Sequence, residues 1–257
     1  FSKSKKRFEE VGVRVVVSDY DSLCIVNDKG KLYQSLKNKK IELPDFELIN
    51  NYEEFEWAKN RFLSKHQSFV VKPTIGNGSR GVRIVDSNVN EYDLLFNEKP
   101  NSLYIGLSKL SDILRSHDFP PLLISELLPG EEFTIDTIVS NQGVPVLILP
   151  RRRNTTNGGI SISGTFIYNE EIIEYCRSII TSFELKGPIG LQVKRASNGS
   201  FKLLEINPRI QGTSVAAIGL GINLPLLSLS LLFDEEIYIP PIKWGTSFTR
   251  YYEEVFF

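Results

Sequence analysis

Between residues 189 and 207 apolar side chains recur with a strand-like period on either side of Asn198-Gly199, and no other stretch restricts the fold so tightly. Asn-Gly is the preferred pair for a two-residue type I′ turn. Such a turn sets Ser197 opposite Ser200, and following the ladder back sets Gln192 opposite Glu205. Side chains alternate along a strand, so Gln192, Glu205 and Asn207 share one face, while Leu191, Val193, Leu204 and Ile206 share the other. One carboxylate and two amide oxygens make a poor closed cage for magnesium, but they suit an ion whose other ligands are water and phosphate. The same trio would suit a face that simply meets water. Pro208-Arg209 weighs toward the first reading, because the bend sets an arginine just beyond the trio, where phosphoryl transfer needs positive charge.

Composition removes several alternatives. A net charge of −1, with no basic stripe, gives nucleic acid no electrostatic footprint. The longest apolar stretch, residues 222–233, is too short to span a bilayer. Two distant cysteines, Cys24 and Cys176, make no disulfide framework, so a reduced, cytoplasmic setting is expected. With only His66 and His117, a histidine-rich metal site is excluded. The chain has no methionine and begins with phenylalanine, so it is expected to be a fragment or to lack some residues of the natural protein.

Along the chain, residues 5–10 suit a helix and 13–17 a buried strand. Asn27 is a plausible N-cap for a helix carrying Leu32 and Leu36. Phe55, Ala58 and Phe62 predict a helix over 52–63, after which the period changes. Strands are expected at 68–72, 82–85 and 122–127, with helices at 89–96 and 107–115. A hairpin is expected over 132–149, turning at Asn141-Gln142-Gly143, then a basic loop over 151–159 and an amphipathic helix over 170–183. The class is α+β (α/β), with mostly antiparallel strands.

Gly76-Asn77-Gly78-Ser79-Arg80-Gly81 fits G-x-G-x-x-G, but Val82-Arg83-Ile84-Val85 after it favours a strand. A dinucleotide-binding loop must open a helix, so this one suits a flap over a triphosphate or a plain hairpin turn. Lys72-Pro73, this loop, Glu126-Leu-Leu-Pro-Gly-Glu-Glu132, Gln192 and Glu205-Ile-Asn-Pro-Arg209 occur in that order. The set resembles the ATP-grasp superfamily, in particular the branch near the carbamoyl-phosphate synthetase large subunit and the amino-acid ligases. Glutamine at position 192 favours that branch over the D-alanine ligases, which usually have an acid there.

The resemblance implies an ATP-grasp fold, with ATP sandwiched between two α+β subdomains. Lys29 and Lys72 would contact phosphates, and the loop at Gly78 and Ser79 would close over them. Glu126 and Leu128 would form the adenine hinge, and Glu132 would bind the ribose. Gln192, Glu205 and Asn207 would hold magnesium, or manganese in its place, and Arg209 would steady the transferring phosphoryl group. Residues 1–26 would be the tail of a preceding α/β domain and 27–257 the ATP-grasp domain, with 67–127 as its lid. The expected chemistry joins a small-molecule carboxylate to an amine through an acyl phosphate, with Arg151 and Arg153 binding substrate from the basic loop. A silent or regulatory ATP-binding module and a small-molecule kinase of ATP-grasp type are the alternatives. No nucleic-acid or membrane partner is expected, and a homo-oligomer is compatible with the sequence.

Overall fold

The computed structural model describes residues 1–76, 78–98 and 103–257; Asn77 of the glycine loop lies outside them. Its helices are α1 (Lys5–Glu10), α2 (Tyr20–Val26), α3 (Lys29–Asn38), α4 (Tyr52–Leu63), α5 (Glu91–Phe96), α6 (Leu107–Ser116), α7 (Glu170–Ile180) and α8 (Leu224–Leu232). The five-stranded sheet holds β1 (Phe46–Ile49), β2 (Ser68–Pro73), β3 (Arg83–Asp86), β4 (Tyr104–Gly106) and β5 (Leu122–Glu126), in the order β1-β5-β2-β3-β4. Only its β3–β4 pair is parallel. The six-stranded sheet holds β6 (Glu132–Val139), β7 (Pro145–Asn157), β8 (Ile160–Phe166), β9 (Gly187–Arg195), β10 (Phe201–Asn207) and β11 (Ser247–Thr249). It runs β10-β9-β6-β7-β8-β11 and is antiparallel throughout.

Polar caps set where the helices begin. Asn51 accepts from the Glu54 amide at the head of α4, Asn169 does so for α7, and Asn223 for α8. In α3 the cap is Asp28, not Asn27: its side chain accepts from the Gly30 and Lys31 amides. That choice makes Lys29 the first helical residue and fixes the direction of its side chain.

Phe55 and Phe62 of α4, with Leu110 and Leu114 of α6, bury against Phe69, Val71 and Ile124 of the smaller sheet. This layer therefore takes in β1 and α4, which precede residue 67. The larger sheet buries Phe133, Ile135, Leu191, Val193, Leu203 and Ile206 beneath α3 and α7. Its other face is divided. At one end Ile138, Leu147 and Leu149 meet α8 and a 3₁₀ segment, Ser214–Leu220; the other end carries charged side chains. Each apolar side chain buried in these layers contributes roughly 1.5–3 kcal/mol.

Two further expectations fail here. Residues 13–17 pair with no strand among the described residues, and Val13 is 48% exposed. β-branched residues favour an extended backbone, but without a neighbouring edge they form no ladder; the Val13 amide donates to the Phe8 carbonyl at 2.9 Å instead. The basic loop over 151–159 is instead the end of β7 and the turn into β8. Glycines at 158 and 159, both at positive φ, confine the turn to the tip. No single helix among the described residues is long and apolar enough to cross a membrane.

Candidate functional site

The register of the β9–β10 hairpin is as expected at its base but arises differently. The tip is a three-residue loop: Ala196 faces Ser200, the Gly199 amide donates to the Ala196 carbonyl, and Gly199 has φ +89°. This shifts the pairing by one residue, giving Phe201–Arg195 and Leu203–Val193. A β-bulge at Leu204 then restores it, and Glu205 pairs with Gln192 and Asn207 with Gly190. The bulge also moves the core position: Leu203 is buried where Leu204 was expected, and Leu204 is only partly covered. The freed Leu204 carbonyl accepts from the Tyr33 hydroxyl at 3.3 Å and from Lys72 Nζ at 3.4 Å.

Strand pairing lines the site up in rows. Arg151, Thr134, Gln192 and Glu205 lie across β7, β6, β9 and β10; Asp136, Gly190 and Asn207 form the next row. Asn207 Nδ2 donates to Glu205 Oε1 at 2.9 Å, and Arg209 Nη2 to Asn207 Oδ1 at 3.3 Å. Lys29 reaches over from α3, 3.6 Å from Glu205 Oε2, and donates to the Gly76 carbonyl of the glycine loop at 3.1 Å. Lys72 arrives from the smaller sheet and is buried over the Tyr33 ring. Burial pushes its ammonium down to about 8, helped by Lys29 and opposed by Glu205 and Glu132. Elements far apart in sequence thus bring two lysines to one carboxylate and two amides.

No group of three or more His, Cys, Asp or Glu side chains that could hold a metal occurs among the described residues. The described residues therefore offer no closed cage of such side chains. Glu205 with the Gln192 and Asn207 amide oxygens fits a hard cation that takes its remaining ligands from phosphate and water.

Other expected residues are engaged with one another. Glu126 is ion-paired with Lys202 at 3.3 Å and accepts from the Asp45 amide at 2.7 Å, tying the end of β5 to β10. Leu128, just beyond it, is buried. Glu132 pairs with Arg153, whose Nε donates to Ser161 Oγ and whose Nη2 donates to the Gly159 carbonyl. Gly78 and Ser79 have φ of +62° and +58°, and the Ser79 hydroxyl rests against Gly159, where a Cβ would lie 2.6 Å from it. The glycine loop thus leans on the β7–β8 turn. A cavity of about 480 Å³ lies beside the α3 N-terminus, lined by Asp28, Gly30 and Thr74 but by none of the hairpin trio.

Arg151 is not on a loop facing substrate. It lies in β7, 1% exposed, with Nη2 3.1 Å from Asp136 and its ring-like guanidinium plane near the Phe166 and Phe248 rings. Its other partners are the Thr213 carbonyl and hydroxyl, each at 2.9 Å. Asp136, Gln211, Thr213 and Ser214 were not anticipated as a group. Alternation in β6 places Asp136 on the face of Glu132 and Thr134, but its partners at 211 and 214 come from a distant, strandless segment.

Residues 118–252, a little over half of the chain, match the family model described as ATP-grasp in the biosynthetic pathway with Ter operon. An uncharacterized protein of Methanocaldococcus jannaschii is 25% identical over 221 residues, 82% of this chain and 48% of that protein. The carbamoyl phosphate synthase large chain of a Thermoanaerobacter species is 24% identical over 230 residues, 86% of this chain and 19% of that one. The chain thus spans about half or less of the length of these curated relatives. N5-carboxyaminoimidazole synthetase from Staphylococcus aureus, solved with ADP, superposes with a TM-score of 0.68 at 14% identity, covering 93% of this chain and 59% of that one. That likeness speaks for the fold, and the family match for descent: the chain belongs to the ATP-grasp superfamily, in the family described as ATP-grasp in the biosynthetic pathway with Ter operon.

Proposed function

We propose that the chain carries the ATP site of an ADP-forming carboxylate–amine ligase. The observation that carries this reading is the meeting of Lys29 and Lys72, from two layers, over the Gln192–Glu205–Asn207 hairpin face. A triphosphate would bring the negative charge that the two lysines face, and its metal the positive charge that Glu205 faces. On this reading Lys29 and Lys72 bind phosphate oxygens, and the loop at Gly78 and Ser79 covers them. Glu126 and Leu128 border the adenine, and Glu132 turns from Arg153 to the ribose. Gln192, Glu205 and Asn207 would hold magnesium, or manganese in its place, which would supply positive charge against the phosphate.

The substrate carboxylate attacks the γ-phosphorus in line, the bond to the β-phosphate oxygen breaks, and ADP leaves. Arg209 meets the charge that spreads over the transferring group. A carboxylate is already ionised near neutrality, so no general base is needed for this step. An amine then attacks the acyl carbon, the bond to phosphate breaks, and the amine proton is lost. Arg153 is the arginine we assign to substrate, released when Glu132 changes partner; Arg151 is closed off by burial. The likeness to a carbamoyl phosphate synthase large chain lends the reading support.

The test is hydroxylamine trapping during ADP release, with a panel of carboxylates. A hydroxamate that appears with ADP is the expected result. ADP release with a phosphorylated alcohol and no hydroxamate would replace the ligase with a kinase.

A further inference from the structure

Asp136 and Arg151 are 3% and 1% exposed and pair at 3.1 Å, and their hydrogen bonds go to residues outside the hairpin trio. What they hold is the segment that follows Arg209. Arg151 donates to the carbonyl and the hydroxyl of Thr213, both at 2.9 Å. Asp136 Oδ1 accepts from Gln211 Nε2 at 3.1 Å and from the Ser214 hydroxyl. Gln211 in turn lies flat on Gly190, where a Cβ would come within 2.1 Å of its Cδ, and Gly190 is the ladder partner of Asn207. Arg209 is therefore bracketed: Asn207 fixes the chain before it, and the anchored residues 211–214 fix it afterwards.

A buried ion pair is costly to desolvate and contributes little net stability, but its planar fork dictates direction. A cation that acts on the transition state must already stand in place when charge develops. We propose that the buried Asp136–Arg151 pair is a positioning device for phosphoryl transfer, acting through Gln211 and Thr213 to set Arg209 relative to Asn207. This rests on the reading of the hairpin as the magnesium–ATP site.

Removing Asp136 or Arg151 alone strands a buried charge and threatens folding, so Thr213→Val and Gln211→Ala in the full chain are the better probes. Two ligands are compared by titration calorimetry: magnesium with a non-hydrolysable ATP analogue, and magnesium with ADP and aluminium fluoride, which mimics the transferring phosphoryl group. Each variant is expected to bind the first within about twofold of wild type and the second roughly tenfold more weakly. Arg209→Lys should lose the same discrimination, and adding Thr213→Val to it should change nothing more. A merely structural role would lower thermal stability and leave the ratio of the two affinities unmoved. An unmoved ratio, or effects that add to Arg209→Lys, would overturn the proposal. A wild-type chain that binds neither ligand would fail at the earlier step, the ATP reading itself, and take this proposal with it.

Discussion

The hairpins β9–β10 and β2–β3 both feed the site, and they are held in opposite ways. β9 lies between β10 and β6, and its alternate side chains Leu191 and Val193 are fully buried. The connection from β2 to β3 is exposed at positions 75, 76 and 78–81, with positive φ at Gly78, Ser79 and Gly81. One side has its geometry imposed by a core; the other is exposed, with local backbone preference, its rest on Gly159 and the Lys29 bond to the Gly76 carbonyl among its supports. On the function proposed above, the difference assigns precision to the larger sheet, where a cation would need fixed ligands, and leaves the covering role to an exposed segment.

Four substitutions would break or sharpen that contrast. Leu191→Ala should cost about 2–5 kcal/mol by emptying space in the core, read as a lower denaturant midpoint at constant slope. Should it cost no more than a change in the glycine loop, the contrast fails. Lys72 sits on β2 but bonds to β10, and so belongs with the fixed side. Its folded pKa of about 8 lies below the ordinary 10.5, so between those values the folded state binds fewer protons than the unfolded. Wild-type stability should therefore rise with pH through that window, the penalty being complete below it. Lys72→Met should remove the slope and gain roughly 3 kcal/mol at pH 7, while weakening nucleotide binding. A flat wild-type profile over pH 8–10.5 would place Lys72 in contact with water.

Glu205→Ala should lower magnesium-dependent nucleotide binding about a hundredfold, near 2.7 kcal/mol, with thermal stability almost unchanged. Unaltered binding would refute the metal assignment. Gly78→Ala is the mildest: its Cβ meets only Arg80 Nη1 at 3.9 Å, so the cost is that of φ +62°, about 1 kcal/mol. Nucleotide affinity should fall more than stability does, since the loop's task on our reading is to cover phosphate.

Local signals were legible. The helix over Tyr52–Leu63 begins and ends where its apolar period and the Asn51 cap dictate. The facing of Gln192 and Glu205 was also legible, but for an incomplete reason, because the three-residue tip and the bulge offset each other. Arg151 misled because three consecutive arginines read as a basic loop offered to substrate, whereas its carboxylate partner lies on the adjacent strand. The bracket around Arg209 was not legible at all: Asp136 meets residues 211 and 214 only after β6, β7 and the hairpin have assembled. Residues 13–17 have the composition of a strand, and composition alone does not provide a neighbour to pair with.

The paired irregularities of the β9–β10 hairpin give its upper half two possible registers. The tip carries one residue more than a two-residue turn, and the bulge absorbs one on the descending arm. A tip held as a two-residue turn would bring Ser197 opposite Ser200 and need no bulge. Glu205 would stay opposite Gln192, but the Leu204 carbonyl would return to the ladder, taking an acceptor from Lys72. Residues at a surface turn thereby decide which backbone oxygen a buried lysine can reach.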